Sequence, residues 1–256
     1  MKFGVCAPLE EAAFLKDAGY DYIELTVVSL MPEKSDEECG EILRRAAASP
    51  MPAEAFNVFL PGDLKITGPE VDEGRVERYL RSSLKRVADL GGRVVVFGSG
   101  GARRVPDGFP QERAWEQLRG FLHKAADCAE EFGVVLAIEP LNTKECNIIN
   151  SVSEAVRLSD EVNRPSVKVL ADMFHMVVDG EPLESVTVAG NRLAHVHVAD
   201  TDRLYPGSGR NDFRAFFRAL KSIGYDARVS IECRWGDFKA EAPKALEFLR
   251  EQWASA

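Results

Sequence analysis

No two of the five cysteines in this sequence stand at C-x-x-C spacing, and their number is odd. Such a set predicts neither a disulfide framework nor a zinc ribbon, and reduced thiols in the cytoplasm are the simpler interpretation. Long apolar runs are also missing near the start, where only five mostly apolar residues follow Lys2. So short a run is neither a signal peptide nor a membrane span, so we expect a cytoplasmic protein without membrane contact.

Clustered positive charge is absent as well. The formal net charge is −9, and lysine and arginine are spread along the 256 residues. This distribution lacks the basic footprint that binds a phosphate backbone, so nucleic acid is not an expected partner. No linker, low-complexity tract or repeat divides the chain, whose length suits a single domain.

Short apolar runs alternate with longer helical patterns along the whole chain. Strands are predicted at 2–6, 21–26, 53–59, 93–97, 134–139, 167–172, 193–199 and 228–232. Helices are predicted near 9–18, 35–48, 72–90, 111–132, 152–162, 183–189, 212–223 and 240–253. Eight such units indicate an α/β fold, a single (β/α)8 TIM barrel that spans residues 1–256.

Four polar residues stand at the ends of the last four predicted strands. They are Glu139, Asp172, His197 and Glu232. Because successive strand residues face opposite ways, apolar neighbours such as Val198 face the helices while the polar residues face the barrel interior. The carboxyl ends of barrel strands carry the chemistry of barrel enzymes, so these side chains are candidates for one site.

Three carboxylates and one imidazole at one barrel mouth would repel one another without a cation. We therefore predict a divalent metal ion bound by Glu139, Asp172, His197 and Glu232. Oxygen-rich ligation favours Mn²⁺, with Mg²⁺, Co²⁺ or Zn²⁺ as alternatives, and no organic cofactor is required. A substrate on the metal would meet one glutamate on each face, which suits proton removal beside a carbonyl and proton return through a metal-bound enediolate.

With these motifs the chain resembles the xylose-isomerase-like sugar isomerase and epimerase superfamily, particularly its D-tagatose 3-epimerase, hydroxypyruvate isomerase and inosose dehydratase branch. The resemblance rests on E-P-L-N at 139–142, D-M-F-H at 172–175, H-V-H-V-A-D-T-D-R at 195–203 and I-E at 231–232. It implies the same four metal ligands, with Glu139 and Glu232 as catalytic acid and base.

Three further residues take a role from this resemblance. It implies that His175 contacts substrate hydroxyls near the reacting carbon. It implies that Arg203 binds the oxygen next to that carbon, where a fixed cation would stabilise an enediolate. Glu145 matches an acidic residue that pairs with the histidine and with substrate hydroxyls.

The activity implied is that of a ketose 3-epimerase or an aldose-ketose isomerase, acting on a small keto sugar or hydroxy-keto compound. Relatives commonly pair, so a homo-oligomer, a dimer or tetramer, is expected. An inosose-dehydratase-like lyase is an alternative, because it would begin with the same proton abstraction. An endonuclease IV-like enzyme is disfavoured by the four histidines and the acidic charge, and a non-catalytic sugar-binding barrel by the two glutamates.

Several residues keep two interpretations. Arg103 and Arg104, in the glycine-rich F-G-S-G-G-A-R-R segment, could bind a phosphate or carboxylate group or could simply be solvated. Glu24 could support the site or form a structural salt bridge. His195, which shares a face with His197, is better interpreted as a core histidine, and Asn57 could line the pocket.

Overall fold

The computed structural model describes residues 1–256, and its eight parallel strands close into one barrel in which the first strand pairs with the last. The predicted (β/α)8 barrel is confirmed. The strands are β1 Lys2–Cys6, β2 Tyr22–Thr26, β3 Ala53–Asn57, β4 Val94–Phe97, β5 Val135–Ile138, β6 Val167–Asp172, β7 Leu193–Val198 and β8 Arg228–Ile231.

Ten α-helices surround or cap the barrel. They are α1 Ala12–Asp17, α2 Asp36–Ala47, α3 Glu73–Asp89, α4 Gly100–Arg103, α5 Gln111–Phe132, α6 Val152–Val162, α7 Met173–Asp179, α8 Glu184–Ala189, α9 Phe213–Ser222 and α10 Phe238–Ser255. Short 3₁₀ segments occur at Leu9–Glu11, Val27–Leu30, Gly190–Arg192 and Thr201–Arg203. None of the helices combines the length and apolar character needed to cross a bilayer.

The predicted strands agree with the structure to within two residues at either end, but two short helices were missed. In α7, the Asp172 side chain accepts the backbone N–H groups of Phe174 and His175, so strand β6 turns directly into a helix. In α4, the glycine-rich segment predicted as a loop forms one helical turn. The first predicted helix is divided into a 3₁₀ turn and α1.

The longer helices begin where the sequence places capping residues. Ser35 and Glu38 form a reciprocal capping box at the start of α2. Asp72 caps α3 and Asp212 caps α9, and each side chain accepts a backbone N–H group of the first helical turn. At the C-terminal end of α5, Gly133 adopts the left-handed conformation that closes the helix.

The core has two layers, as the alternation of strand residues predicts. Ile138, Val196 and Ile231 belong to the large cluster between strands and helices. Ala137 belongs to the small cluster of buried residues inside the barrel. Apolar side chains fill the outward positions of these strands, so their polar residues face inward. Because those polar residues stand at the strand ends, they lie at the carboxyl mouth of the barrel.

Candidate active site

Three of the four predicted metal ligands bring carboxylate oxygens together at the barrel mouth. Ligand atoms of Glu139, Asp172, Glu232 and His175 all lie within 4.8 Å of one another. The fourth predicted ligand, His197, adjoins this group through Nδ1, which lies 3.2 Å from Glu139 Oε1 and 4.0 Å from Glu232 Oε2. All four predicted ligands therefore lie at one centre, which His175 shares.

The orientation of His197 follows from its other ring nitrogen. Nε2 lies 2.9 Å from Oε1 of Glu24, a fully buried carboxylate inside the barrel. A carboxylate only accepts hydrogen bonds, so Nε2 carries a proton and donates it to Glu24. Nδ1 is then the nitrogen that faces Glu139 and Glu232.

The pKa values of the two glutamates are shifted in opposite directions. Burial, together with the charge of Glu139, raises the pKa of Glu232 above its usual range. Burial acts on Glu139 in the same sense, but hydrogen bonding to His197 and the charges of His197 and Arg103 outweigh it and lower the pKa of Glu139. Two nearby carboxyl groups whose surroundings shift their pKa values apart are typical of an acid and base pair.

The residues present fit a divalent cation. Burial disfavours the charged form of His197, yet Glu24 and the neighbouring groups raise the pKa of its imidazole well above the usual value. Nδ1 also faces an acceptor, Glu139 Oε1, at 3.2 Å, and a proton on Nδ1 would satisfy that contact. That proton would supply one positive charge among three carboxylates. A divalent cation in its place would leave a lone pair on Nδ1 as a ligand and would supply two charges, a better match to this donor set.

His175 has the opposite ring orientation. Asn142 Nδ2 donates to His175 Nδ1 over 2.7 Å, and the amide is held by the Lys144 N–H group, which donates to Asn142 Oδ1 over 3.1 Å. Neutral imidazole then carries its proton on Nε2, which is buried and has no hydrogen-bond partner. A protonated nitrogen cannot bind a metal, so His175 is suited to donate to a substrate oxygen instead.

Arg203 spans two acidic groups at the mouth. Its guanidinium hydrogen-bonds Glu232 and lies 3.1 Å from Glu145 Oε1. The charged group also lies 5.1 Å from the centre of the Phe174 ring. Both Asp202 and Arg203 adopt positive φ angles, near 60°, which is strained for residues with side chains.

Asp200 holds this strained loop in place. Its carboxylate accepts the backbone N–H groups of Thr201, Gly207 and Asn211. Gly209 is required beside it, because a Cβ atom there would lie 2.4 Å from Asp200 Oδ1. The loop that contains Arg203 is therefore anchored internally and does not depend on a substrate for its shape.

Glu145 lies near His175 but makes no direct hydrogen bond to it. Its Oε1 atom accepts from Asn142 Nδ2 over 2.9 Å and lies 4.0 Å from His175 Nδ1. Asn142 therefore links Glu145 and His175, a role that the sequence analysis missed although it quoted the E-P-L-N motif. The asparagine that ends this motif was the sequence signal for that role.

Arg103 is not an anion-binding residue. It is fully buried and donates to the backbone carbonyls of Phe97, Glu139 and Ile149. It therefore braces the turn after β5 that carries Glu139. Arg104 donates to the carbonyl of Glu145 over 2.7 Å and supports the same segment. Neither of the two interpretations describes Arg103, which is buried instead of solvated, while Arg104 is exposed.

Two cavities flank the centre, each of about 430 Å³. One lies above β1, β2 and β3 and is lined by Leu25, Asn57 and Glu232, among others. The other lies above β5 to β7 and is lined by Glu145, Arg203 and neighbouring residues. Volumes of this size fall within the usual range of small-molecule sites, about 300–1,000 Å³.

The chain matches the model of the xylose isomerase-like TIM barrel family over residues 12–252. An L-ribulose 3-epimerase from Methylomonas sp. (strain DH-1) is 29% identical over 264 residues, which cover 92% of this chain and 88% of the relative. An inosose isomerase from Bacillus velezensis is 28% identical over 254 residues, which cover 91% of this chain and 86% of the relative. The crystal structure of a D-allulose 3-epimerase from Methylomonas sp. in complex with D-allulose superposes with a TM-score of 0.85 and 26% identity, covering 98% of this chain and 97% of that one.

Proposed function

The chain belongs to the xylose isomerase-like TIM barrel family, and we propose that it is a divalent-metal-dependent isomerase or epimerase of a small keto sugar. The reaction removes a proton from a carbon next to the carbonyl group and returns a proton to the resulting enediolate. The observation that carries this proposal is the convergence of Glu139 and Glu232, with opposite pKa shifts, on one polar centre. The similarity to sugar epimerases and isomerases supports the same reaction class.

In this proposal Glu139, Asp172, His197 and Glu232 hold the metal ion. When bound, a divalent cation supplies positive charge that polarises the substrate carbonyl and lowers the energy of the enediolate. Mn²⁺ is the proposed ion, because three carboxylates and one imidazole form an oxygen-rich set. The carboxylates that share this centre repel one another without a cation, which supports metal dependence.

The two glutamates divide the proton transfers in this mechanism. One carboxylate takes the proton from the carbon, and the other carboxyl group delivers a proton to the opposite face of the planar intermediate. Arg203, which contacts Glu232, fixes that carboxyl group and places a permanent charge beside the developing oxyanion. His175 donates its free Nε2–H group to a substrate oxygen, with Glu145 and Asn142 holding its ring.

The cavity above β1, β2 and β3 would take an uncharged part of the substrate. Its only charged lining residues are Glu10 and Glu232, both acidic, so a phosphate group would find no cation there. Asn57 Nδ2 donates to Glu232 Oε1 over 3.2 Å, while its buried Oδ1 atom has no partner. A sugar hydroxyl group would satisfy that oxygen.

Solvent deuterium exchange tests the proposal. The Mn²⁺-loaded protein is incubated in D₂O with neutral ketoses, their terminal phosphates and inosose, and NMR locates any labelled carbon. We expect metal-dependent labelling next to the carbonyl of a neutral ketose, with the epimer or the aldose as product. A dehydrated product would instead identify a lyase.

Replacement of either glutamate sharpens the same test. Glu232→Gln and Glu139→Gln each remove one proton-transfer group, so turnover should fall by about a thousandfold, within the usual contribution of acid-base catalysis. Glu54→Gln is the matched control, because Glu54 pairs with Lys2 and Arg228 near the starts of their strands. Full turnover in Glu232→Gln would refute the assigned chemistry.

We also propose that the protein forms a homo-oligomer, a dimer or a tetramer. The resemblance to a superfamily whose members commonly pair supports this proposal.

A further inference from the structure

Glu24 occupies an unusual position for a carboxylate. It lies in the middle of β2, faces the barrel interior and is fully buried. Three groups donate to its two oxygens: His197 Nε2 at 2.9 Å, His195 Nε2 at 2.8 Å and the Ser230 hydroxyl. The residue is therefore beyond the reach of a substrate but in direct contact with a predicted metal ligand.

Burying a carboxylate is costly unless it is fully hydrogen-bonded, and apolar side chains of similar volume generally serve a core at least as well. The small cluster inside the barrel holds apolar residues such as Ala55, Val96 and Leu170. A charge among them is better explained by what it does to its partners than by its own contribution to stability.

We propose that Glu24 is a positioning residue that makes His197 a metal ligand. It accepts the Nε2–H group of His197, fixes the ring and directs Nδ1 at the centre formed with Glu139 and Glu232, where that nitrogen would offer its lone pair to a cation. A carboxylate that holds the far nitrogen of a ligating histidine also makes the near nitrogen a stronger ligand. This inference rests on the proposed metal-dependent function.

The surrounding groups hold Glu24 still. The hydroxyl groups of Ser230 and Tyr22 lie 2.7 Å apart and form a hydrogen bond, which ties the carboxylate to β8 as well as to β7. The Tyr22 ring needs a glycine opposite it, because a Cβ atom at Gly4 would lie 2.4 Å from the ring. His195 Nδ1 has no hydrogen-bond partner, so the ring holds Glu24 through Nε2 alone.

Glu24→Gln tests the proposal with almost no change of shape. A glutamine offers one acceptor oxygen and one N–H₂ group where three donors now meet, so His197 and His195 can no longer both donate through Nε2. We expect Mn²⁺ affinity, measured by titration, to fall by about ten- to a hundredfold, the usual effect of losing such a partner. In the metal-free protein, ¹⁵N NMR of the imidazole rings should show loss of at least one Nε2 proton.

Glu54→Gln is the control, because it makes the same chemical change in a carboxylate that Lys2 and Arg228 contact. It should leave Mn²⁺ affinity and both imidazole spectra unchanged. Affinity in Glu24→Gln within twofold of the wild type, with both Nε2 protons retained, would overturn the proposal. If the wild-type protein binds no divalent metal, the proposed function fails, and the ¹⁵N spectra alone decide whether Glu24 holds the histidine.

Discussion

At the residue scale, Arg203 shows how a single side chain links several parts of the site. Its guanidinium contacts Glu145 and Glu232 and packs near the Phe174 ring, while its own backbone is held at a positive φ angle. The planar guanidinium group can donate hydrogen bonds to two partners in fixed directions, whereas a lysine ammonium group acts as one point charge. The geometry therefore requires arginine and not only a positive charge.

Arg203→Lys should lower kcat/KM by about ten- to a hundredfold, because the charge is kept while the two-sided contact is lost. Steady-state kinetics on the substrate found by deuterium exchange measures this. Arg234→Lys is the matched control, since Arg234 is an exposed arginine that lines the same cavity. Unchanged kcat/KM in Arg203→Lys would mean that a positive charge at the mouth is sufficient, and an equal loss in Arg234→Lys would mean that the two-sided contact of Arg203 has no special role.

At the element scale, the turn between β4 and α4 supports Glu139, the proposed ligand that directly follows β5. A Cβ atom at Gly98 would lie 2.0 Å from Glu139 Oε2, so the carboxylate occupies the space that only a glycine leaves. Ser99 follows with a left-handed φ of 38°, and its hydroxyl accepts the Leu60 N–H group. The following helix then places Arg103 against the Glu139 carbonyl.

Gly98→Ala should displace the Glu139 carboxylate and weaken Mn²⁺ binding by about tenfold or more, the scale seen when support of a metal ligand is lost. Isothermal titration measures the affinity. Gly120→Ala is the control, because that glycine lies within α5 and a Cβ atom there would meet nothing within 4 Å. It should bind metal normally, so unchanged affinity in both variants would show that the carboxylate can relocate freely.

At the scale of the whole molecule, the proposed metal centre joins strands from one half of the barrel. Glu139, Asp172, His197 and Glu232 lie on or directly after β5, β6, β7 and β8. A cation bound by all four would link these strands only in the folded state, so binding should stabilise the fold.

Metal removal should therefore lower the melting temperature. At Mn²⁺ concentrations of 100 times Kd, the stabilisation of the folded state is about 2.7 kcal/mol, so stripping the metal should lower Tm by several degrees. Calorimetry with and without chelator measures this change. In Asp172→Asn, which lacks one proposed ligand, the change should be smaller. An identical Tm in stripped and loaded wild-type protein would contradict binding at this centre.

The missed features share a physical cause. The helix α7 depends on one capping interaction of Asp172, a residue that the sequence presented as a strand end. The burial of Arg103 depends on three carbonyl groups that come from separate segments. Neither feature has a local periodic signal, whereas strands and long helices repeat their apolar pattern over several turns or pleats.

The sequence by itself determined the barrel and the position of its polar mouth, because period-two and helical patterns fix which residues face inward at each strand end. It thereby brought Glu139, Asp172, His197 and Glu232 to one end. Only the tertiary structure decided how they are held: which nitrogen of His197 faces the centre and which buried carboxylate binds the other nitrogen. Those contacts join residues far apart in the chain, and hydrogen-bond directions are set only when all the strands are in place.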